Sequence, residues 1–176
     1  MASHAAAAFG NWGTGDVPPL AKRAMFVVAA AIAGATLIAI ARVALGLTPG
    51  THELKQVAVV IHLASVLPAL PLGLWVLLAR KGDARHRLLG RLWVMLMLVA
   101  GGSAIFIRNL NHGGFSWLHL FVLLVAITSF RGIRAARMGR IAAHKRHMWG
   151  MYVGALLLPG LFAFLPGRLL WHWLML

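Results

Sequence analysis

The sequence predicts an all-α polytopic membrane protein: a bundle of five transmembrane helices with a short interfacial C-terminal segment. Three observations carry this. The 176 residues are 61% hydrophobic with a mean hydropathy of +0.83, which suits helices in lipid rather than a soluble core. The chain has only three acids, Asp16, Glu53 and Asp83, and none falls in a long apolar run. Its basic residues concentrate in two stretches, 80–91 and 131–146, and short loops rich in Lys and Arg are retained on the cytoplasmic side of a membrane.

The elements follow in order. Residues 1–23 are rich in Ala and Gly, include Asp16, Pro18 and Pro19, and lack helical periodicity; they are expected to form a loose cytoplasmic tail. The bundle is expected over 24–168. Its first helix, 24–47, starts behind Lys22 and Arg23 and exceeds the length of a signal-peptide core, with no convincing cleavage site after it. Arg42, near the far end, is placed to snorkel to the outer interface. Thr48-Pro49-Gly50-Thr51 is turn chemistry, and the loop ending at Lys55 is almost neutral.

The second helix, 56–79, carries His62 about two turns from its outer end and Pro68 and Pro71 further in. Each proline removes a backbone hydrogen bond and bends the helix, for which a packing kink and a cofactor groove are both adequate explanations. Arg80, Lys81, Arg85, Arg87 and Arg91 surround His86, so this segment is an aqueous turn; a bilayer core cannot solvate clustered guanidinium groups. The third helix is expected at 88–107, where Gly90, Gly101 and Gly102 permit close helix approach. An outer loop at 108–114 leads to the fourth helix, 115–130, with His119 just over a turn inside.

The second basic stretch is then a cytoplasmic loop. The fifth helix runs 144–165 and ends at Pro166-Gly167-Arg168. Residues 169–176 are too few to span, and Trp171 and Trp173 suit an interfacial anchor. The expected placement is the bacterial inner membrane, multi-pass, with the N-terminus cytoplasmic and the C-terminus periplasmic.

Several classes are set aside. The formal charge of +14 is accounted for by loop orientation and anionic headgroups rather than nucleic acid. With no cysteine there is no disulfide, thiolate nucleophile or thioether-attached haem. No acid pair or Ser-His-Asp set lies inside the spans, which disfavours hydrolysis. A proton or metal transporter would want intramembrane carboxylates, and the spans have none.

Histidine is therefore the chemistry-bearing residue. Even-numbered helices run from outside to inside, so His62 and His119 share an outer level; His86 and His144 share an inner one. At 1.5 Å per residue the levels lie roughly 20–25 Å apart. Two imidazoles from different helices at one level make a bis-histidine site for b-type haem iron, and two such levels make a transmembrane electron path. Four of the five helices would then form a haem-binding core holding two haems b. Arg87 and Lys145 would hold propionates inside, and Arg108 outside. Against this, a lone membrane histidine is often only an interhelical hydrogen-bonder, and His86 and His144 could be residues of wet basic loops. His147, three residues from His144, is an alternative ligand.

The elements His62, His86-Arg87 with Leu89-Gly90-Arg91, Phe115-Ser116-Trp117-Leu118-His119, His144-Lys145 with Met148 and Tyr152, and Pro166-Gly167-Arg168 resemble the prokaryotic membrane family known as domain of unknown function 2306, over roughly residues 55–170. In that family the recurring histidines favour His144 over His147. One histidine on each of four successive helices is also similar to cytochrome b561, a dihaem membrane protein. That resemblance implies pairing of His62 with His119 and His86 with His144, although that family has six spans. The expected activity is electron transfer across the membrane between a quinol or other reductant and an acceptor, an oxidoreductase reading that leaves enzyme status open. The alternative is a haem-free accessory subunit of a larger respiratory or photosynthetic complex. Expected partners are the lipid bilayer, a quinone, and either subunits of such a complex or further copies of the chain.

Overall fold

A computed structural model describes residues 16–48, 56–108 and 114–175. Most of the expected N-terminal tail, the core of both outer loops (49–55 and 109–113) and Leu176 lie outside the described residues. Every element among the described residues is helical.

Helix α1 spans Pro19–Ala44, beginning five residues earlier than the hydropathy suggested and taking in Lys22 and Arg23. Pro19 sits at the first helical position, where its fixed φ is already helical and its missing N–H would have had no partner anyway. Helix α2, Val57–Leu78, passes through Pro68 and Pro71 without ending. Helix α3, Ala84–Ala104, is capped by the Asp83 carboxylate, which accepts from the His86 backbone N–H at 2.7 Å. The turn before it needs Gly82, whose φ of +89° strains any residue with a Cβ. The helix starts four residues sooner than expected, so Arg85, His86, Arg87 and Arg91 occupy its first turns rather than a loop.

A 3-10 turn, Trp117–His119, leads into α4, Leu120–Arg137. Here the expectation of a basic loop from Arg131 is corrected. Arg131, Arg134 and Arg137 ride on the last two turns of α4, while Gly132 and Ala135 between them are buried. Long cationic side chains can stay solvated while their backbone remains helical. The connection to α5, Ile141–Tyr152, is only residues 138–140. A π-helical turn, Val153–Leu157, joins α5 to α6, Leu158–Phe162. Pro159 has no N–H for the carbonyl four residues back, and a widened turn just before it takes up the mismatch.

Among the described residues four helices are long and apolar enough to cross a membrane: Pro19–Ala44, Val57–Leu78, Ala84–Ala104 and Trp117–Arg137. The path expected to be a fifth uninterrupted span is instead segmented by the π turn into α5 and α6. Helices α2, α3, α4 and α5 each pack on the next, and α5 closes back on α2, making a four-membered ring. Helix α1 lies outside it, against α2, the π turn and α7 (Leu169–Met175).

The middle of the bundle is filled by Trp93, Met97, Met151, Tyr152 and Leu70, all essentially inaccessible. Gly73 makes this possible, since a Cβ there would fall 2.7 Å from Trp93 Cε2 and 2.9 Å from Tyr152 Cδ2. The Tyr152 hydroxyl donates to the Leu70 carbonyl at 3.1 Å, which satisfies a polar tip in an apolar setting. Outward faces carry Val27, Leu37, Ile38, Val99, Leu123 and Ile127, all exposed, as expected where lipid is the solvent.

The C-terminal segment is fastened to the end of α1: Trp173 is buried with Leu170 against Ala39, and Arg42 Nε donates to the Trp173 carbonyl at 3.0 Å.

Candidate cofactor site

Two of the four histidines are positioned by the neighbouring helix. His62 on α2 faces α3, where its Nδ1–H donates to the Ala100 carbonyl at 2.9 Å. The Ser103 hydroxyl donates to the same carbonyl and stands 3.4 Å from Nδ1. On α5, His144 does the equivalent against α4: its Nδ1–H donates to the Gly132 carbonyl at 2.9 Å. A carbonyl only accepts, so both rings are fixed with hydrogen on Nδ1 and a lone pair on Nε2, the arrangement by which proteins orient imidazole ligands. The small residues Ala100 and Gly132 on the facing helices allow a ring to reach a main-chain oxygen; neither position stood out in the sequence.

His119 sits at the junction of the 3-10 turn and α4. Its Nδ1 accepts from the Ser116 N–H at 3.0 Å and lies equally close to the Ser116 carbonyl, so the ring can take either tautomer. Its Nε2 is buried with no partner. Phe115 packs edge-on against the ring with centroids 4.9 Å apart, and the Arg108 guanidinium lies 4.4 Å over the Phe115 ring. Arg108 also donates through Nε to the Ile105 carbonyl at 3.2 Å. The expected outer cation is therefore linked to His119 through an aromatic ring.

His86 has the Val76 carbonyl of α2 beside it, yet its Nδ1 is buried and makes no hydrogen bond. The His144 imidazole and the Lys81 ammonium are within electrostatic range of it. His86 on α3 and His144 on α5 therefore lie within electrostatic range of one another at the same end of the bundle. His62 and His119 have separate hydrogen-bond partners. His147 has Arg131, Arg146 and His144 as charged neighbours, but His144 is the residue with the backbone-anchored ring.

The remaining expected residues are engaged locally. Arg87 Nη1 donates to the Gly82 carbonyl at 2.6 Å, bracing the turn. Lys145 forms an ion pair with Asp16 at 2.9 Å, a role for Asp16 that the sequence did not suggest. Lys81 has Lys145, Lys22 and Asp16 around it. Burial pushes its ammonium below the ordinary 10.5, Lys145 and Lys22 push the same way, and Asp16 opposes them. Lys22, Lys81, Lys145, His86 and His144 therefore gather at one end of the bundle.

For haem, the donor chemistry fits: each of the four imidazoles keeps one ring nitrogen that no protein group uses, and on His86 and His119 that nitrogen is buried and orphaned. Among the described residues no group of three or more His, Cys, Asp or Glu side chains is assembled; a two-imidazole site is smaller than that. Two apolar grooves of about 490 Å³ open on the bundle, and none of the four histidines lines either.

No curated protein and no solved structure matches this chain. One family does, described as a predicted membrane protein, over residues 59–171, a span that contains all four histidines, and the chain therefore belongs to the domain of unknown function 2306 family.

Proposed function

We propose that this chain is a b-type dihaem membrane protein that carries electrons between the two faces of a bacterial inner membrane. The observation that carries the reading is the state of the four imidazoles. Two are locked by main-chain carbonyls of neighbouring helices so that Nε2 is presented, and two hold a buried nitrogen without a partner. An uncompensated polar atom inside a membrane bundle is costly unless something binds it.

On this reading His86 and His144 hold an inner haem and His62 and His119 an outer one, with the path 141–162 as the fifth span. The N-terminus is then cytoplasmic and the C-terminus periplasmic. Haem supplies reversible one-electron chemistry at iron. The chain's own residues orient the ligands: the Ala100 and Gly132 carbonyls fix ring tautomer and rotation and make the bound imidazole more electron-rich. Lys145, Arg87 and Arg108 place positive charge near the two sites for haem propionates. The packed Trp93 and Tyr152 layer keeps water out of the space between levels. A membrane quinol is the donor class suited to such a site.

The accessory-subunit reading draws on a different observation, an apolar groove between α2 and α3 lined by Val57, Ala58, Ile61, Val99 and Phe106, which suits a helix of a larger complex or a second copy of the chain. Reduced-minus-oxidised absorption spectra decide between the two. Purified chain produced with ample haem is expected to show a Soret band that shifts on reduction. His62→Ala and His86→Ala are each expected to remove a separate part of it. A spectrum with no haem band, with the chain folded, would end the electron-transfer reading.

A further inference from the structure

We infer that the chain holds an anionic phospholipid in a groove between α1 and α5 at the basic end of the bundle. The groove, about 490 Å³, has Ala21, Ala24 and Met25 on one wall and Trp149 and Gly150 on the other, with Arg146 on its rim. Both walls run away from the basic end. Val17 and Arg146 mark the start of the groove, and Met25 and Val153 its deeper limit, a length of roughly 10–12 Å at 1.5 Å per residue. Alanines and a glycine keep the walls low, and a Cβ on Gly150 would meet nothing within 4 Å. This is an apolar slot of acyl-chain character with a guanidinium at one end.

Charge decides the headgroup. Lys22 adjoins Ala21 on the α1 wall, Lys81 is close to Lys22 and Lys145, and the acid described in this neighbourhood, Asp16, is paired with Lys145. The surplus at the mouth is cationic, so a zwitterionic headgroup gains little there and a phosphodiester with net negative charge gains most. A guanidinium also matches phosphate oxygens by bidentate hydrogen bonding. Trp149 is buried and meets the Tyr152 ring edge-on with centroids 6.5 Å apart, so the slot backs directly onto the packed core. The inference is independent of whether haem is bound.

The test uses the full chain, delipidated in a neutral detergent and incubated with phosphatidylglycerol or phosphatidylcholine, with retained lipid measured by mass spectrometry. Phosphatidylglycerol is expected to be retained in preference. Arg146→Gln is expected to lower its retention roughly fivefold, the effect of one cation at a membrane surface, and to leave phosphatidylcholine unchanged. Gly150→Leu, whose Cβ meets nothing within 4 Å and whose longer side chain is to occupy the slot, is expected to lower retention of both lipids while circular dichroism and melting stay native. Equal retention of the two lipids by the unaltered chain overturns the inference, as does undiminished phosphatidylglycerol retention in either variant.

Discussion

Gly73→Ala tests the packing between the two histidine levels. A Cβ at this position would lie against Trp93 Nε1, 2.7 Å from Trp93 Cε2 and 2.9 Å from Tyr152 Cδ2, all inside ordinary van der Waals separation. Neither ring can retreat, because both side chains are fully buried and their centroids are 6.2 Å apart in one packed layer. Overpacking of a rigid core costs about 1–3 kcal/mol, and three contacts on two aromatic rings belong at the upper end. Alanine recovers about 1 kcal/mol over glycine in a helix interior. The net is a loss of about 2 kcal/mol, or a melting temperature lower by ~4–8 °C for a chain of this size. The assay is thermal unfolding in detergent, with Gly102→Ala as the companion. A Cβ there would meet nothing within 4 Å, so that variant should keep or gain stability. A Gly73→Ala chain that melts at or above the unaltered one would refute the account of this layer.

Three further outcomes are expected. Tyr152→Phe removes the 3.1 Å hydrogen bond to the Leu70 carbonyl and should cost about 1 kcal/mol in melting experiments; no change would mean that the hydroxyl is idle. Asp83→Ala removes the cap on α3 and should cost about 1 kcal/mol, with Asp83→Asn retaining most of it. For Lys81 the sign follows from its lowered folded-state pKa. As pH climbs toward 10.5 the unfolded chain holds more protons than the folded one, so this group's contribution to stability rises through that window. Lys81→Met should therefore stabilise most near neutral pH and least above 10.5, measured as the difference in melting temperature across a pH series.

The spans were legible because lipid imposes a simple rule: long apolar runs with cations at their ends. That rule locates α2 and α3 to within a few residues and puts His86 and His144 at the same end of the bundle. It misplaces the end of α4, because a charge-dense segment reads as a loop. Yet Arg131, Arg134 and Arg137 recur every three residues while Gly132 and Ala135 fall on the buried face, a helical periodicity that charge counting overlooked. The start of α1 was also signalled, by Pro19 at the first helical position. The π turn was not legible, since it answers a local mismatch around Pro159 that depends on what packs beside it. The packing of Trp173 was likewise not legible, since its amphipathic ring suits an interface and an interior alike and its neighbour Ala39 is far away in sequence.

Sequence position put one histidine on each of four successive helical segments, but did not show what holds each ring. In the folded chain the His62 ring on α2 and the His144 ring on α5 are tied in the same way, through Nδ1–H to a main-chain oxygen of the adjacent helix. A histidine serving only as interhelical glue would need nothing more. The two other rings argue further. His86 leaves Nδ1 buried and bare, and His119 leaves Nε2 buried and bare. For His119 the choice of tautomer carries the consequence. If Nδ1 accepts from the Ser116 N–H, the buried Nε2 carries a hydrogen with nowhere to donate. If Nδ1–H donates to the Ser116 carbonyl at the same 3.0 Å, Nε2 offers a lone pair, the form an electrophile such as a haem iron requires. The second arrangement frees Nε2 for a ligand but takes the acceptor away from the Ser116 N–H, so the two tautomers exchange one unsatisfied donor for another.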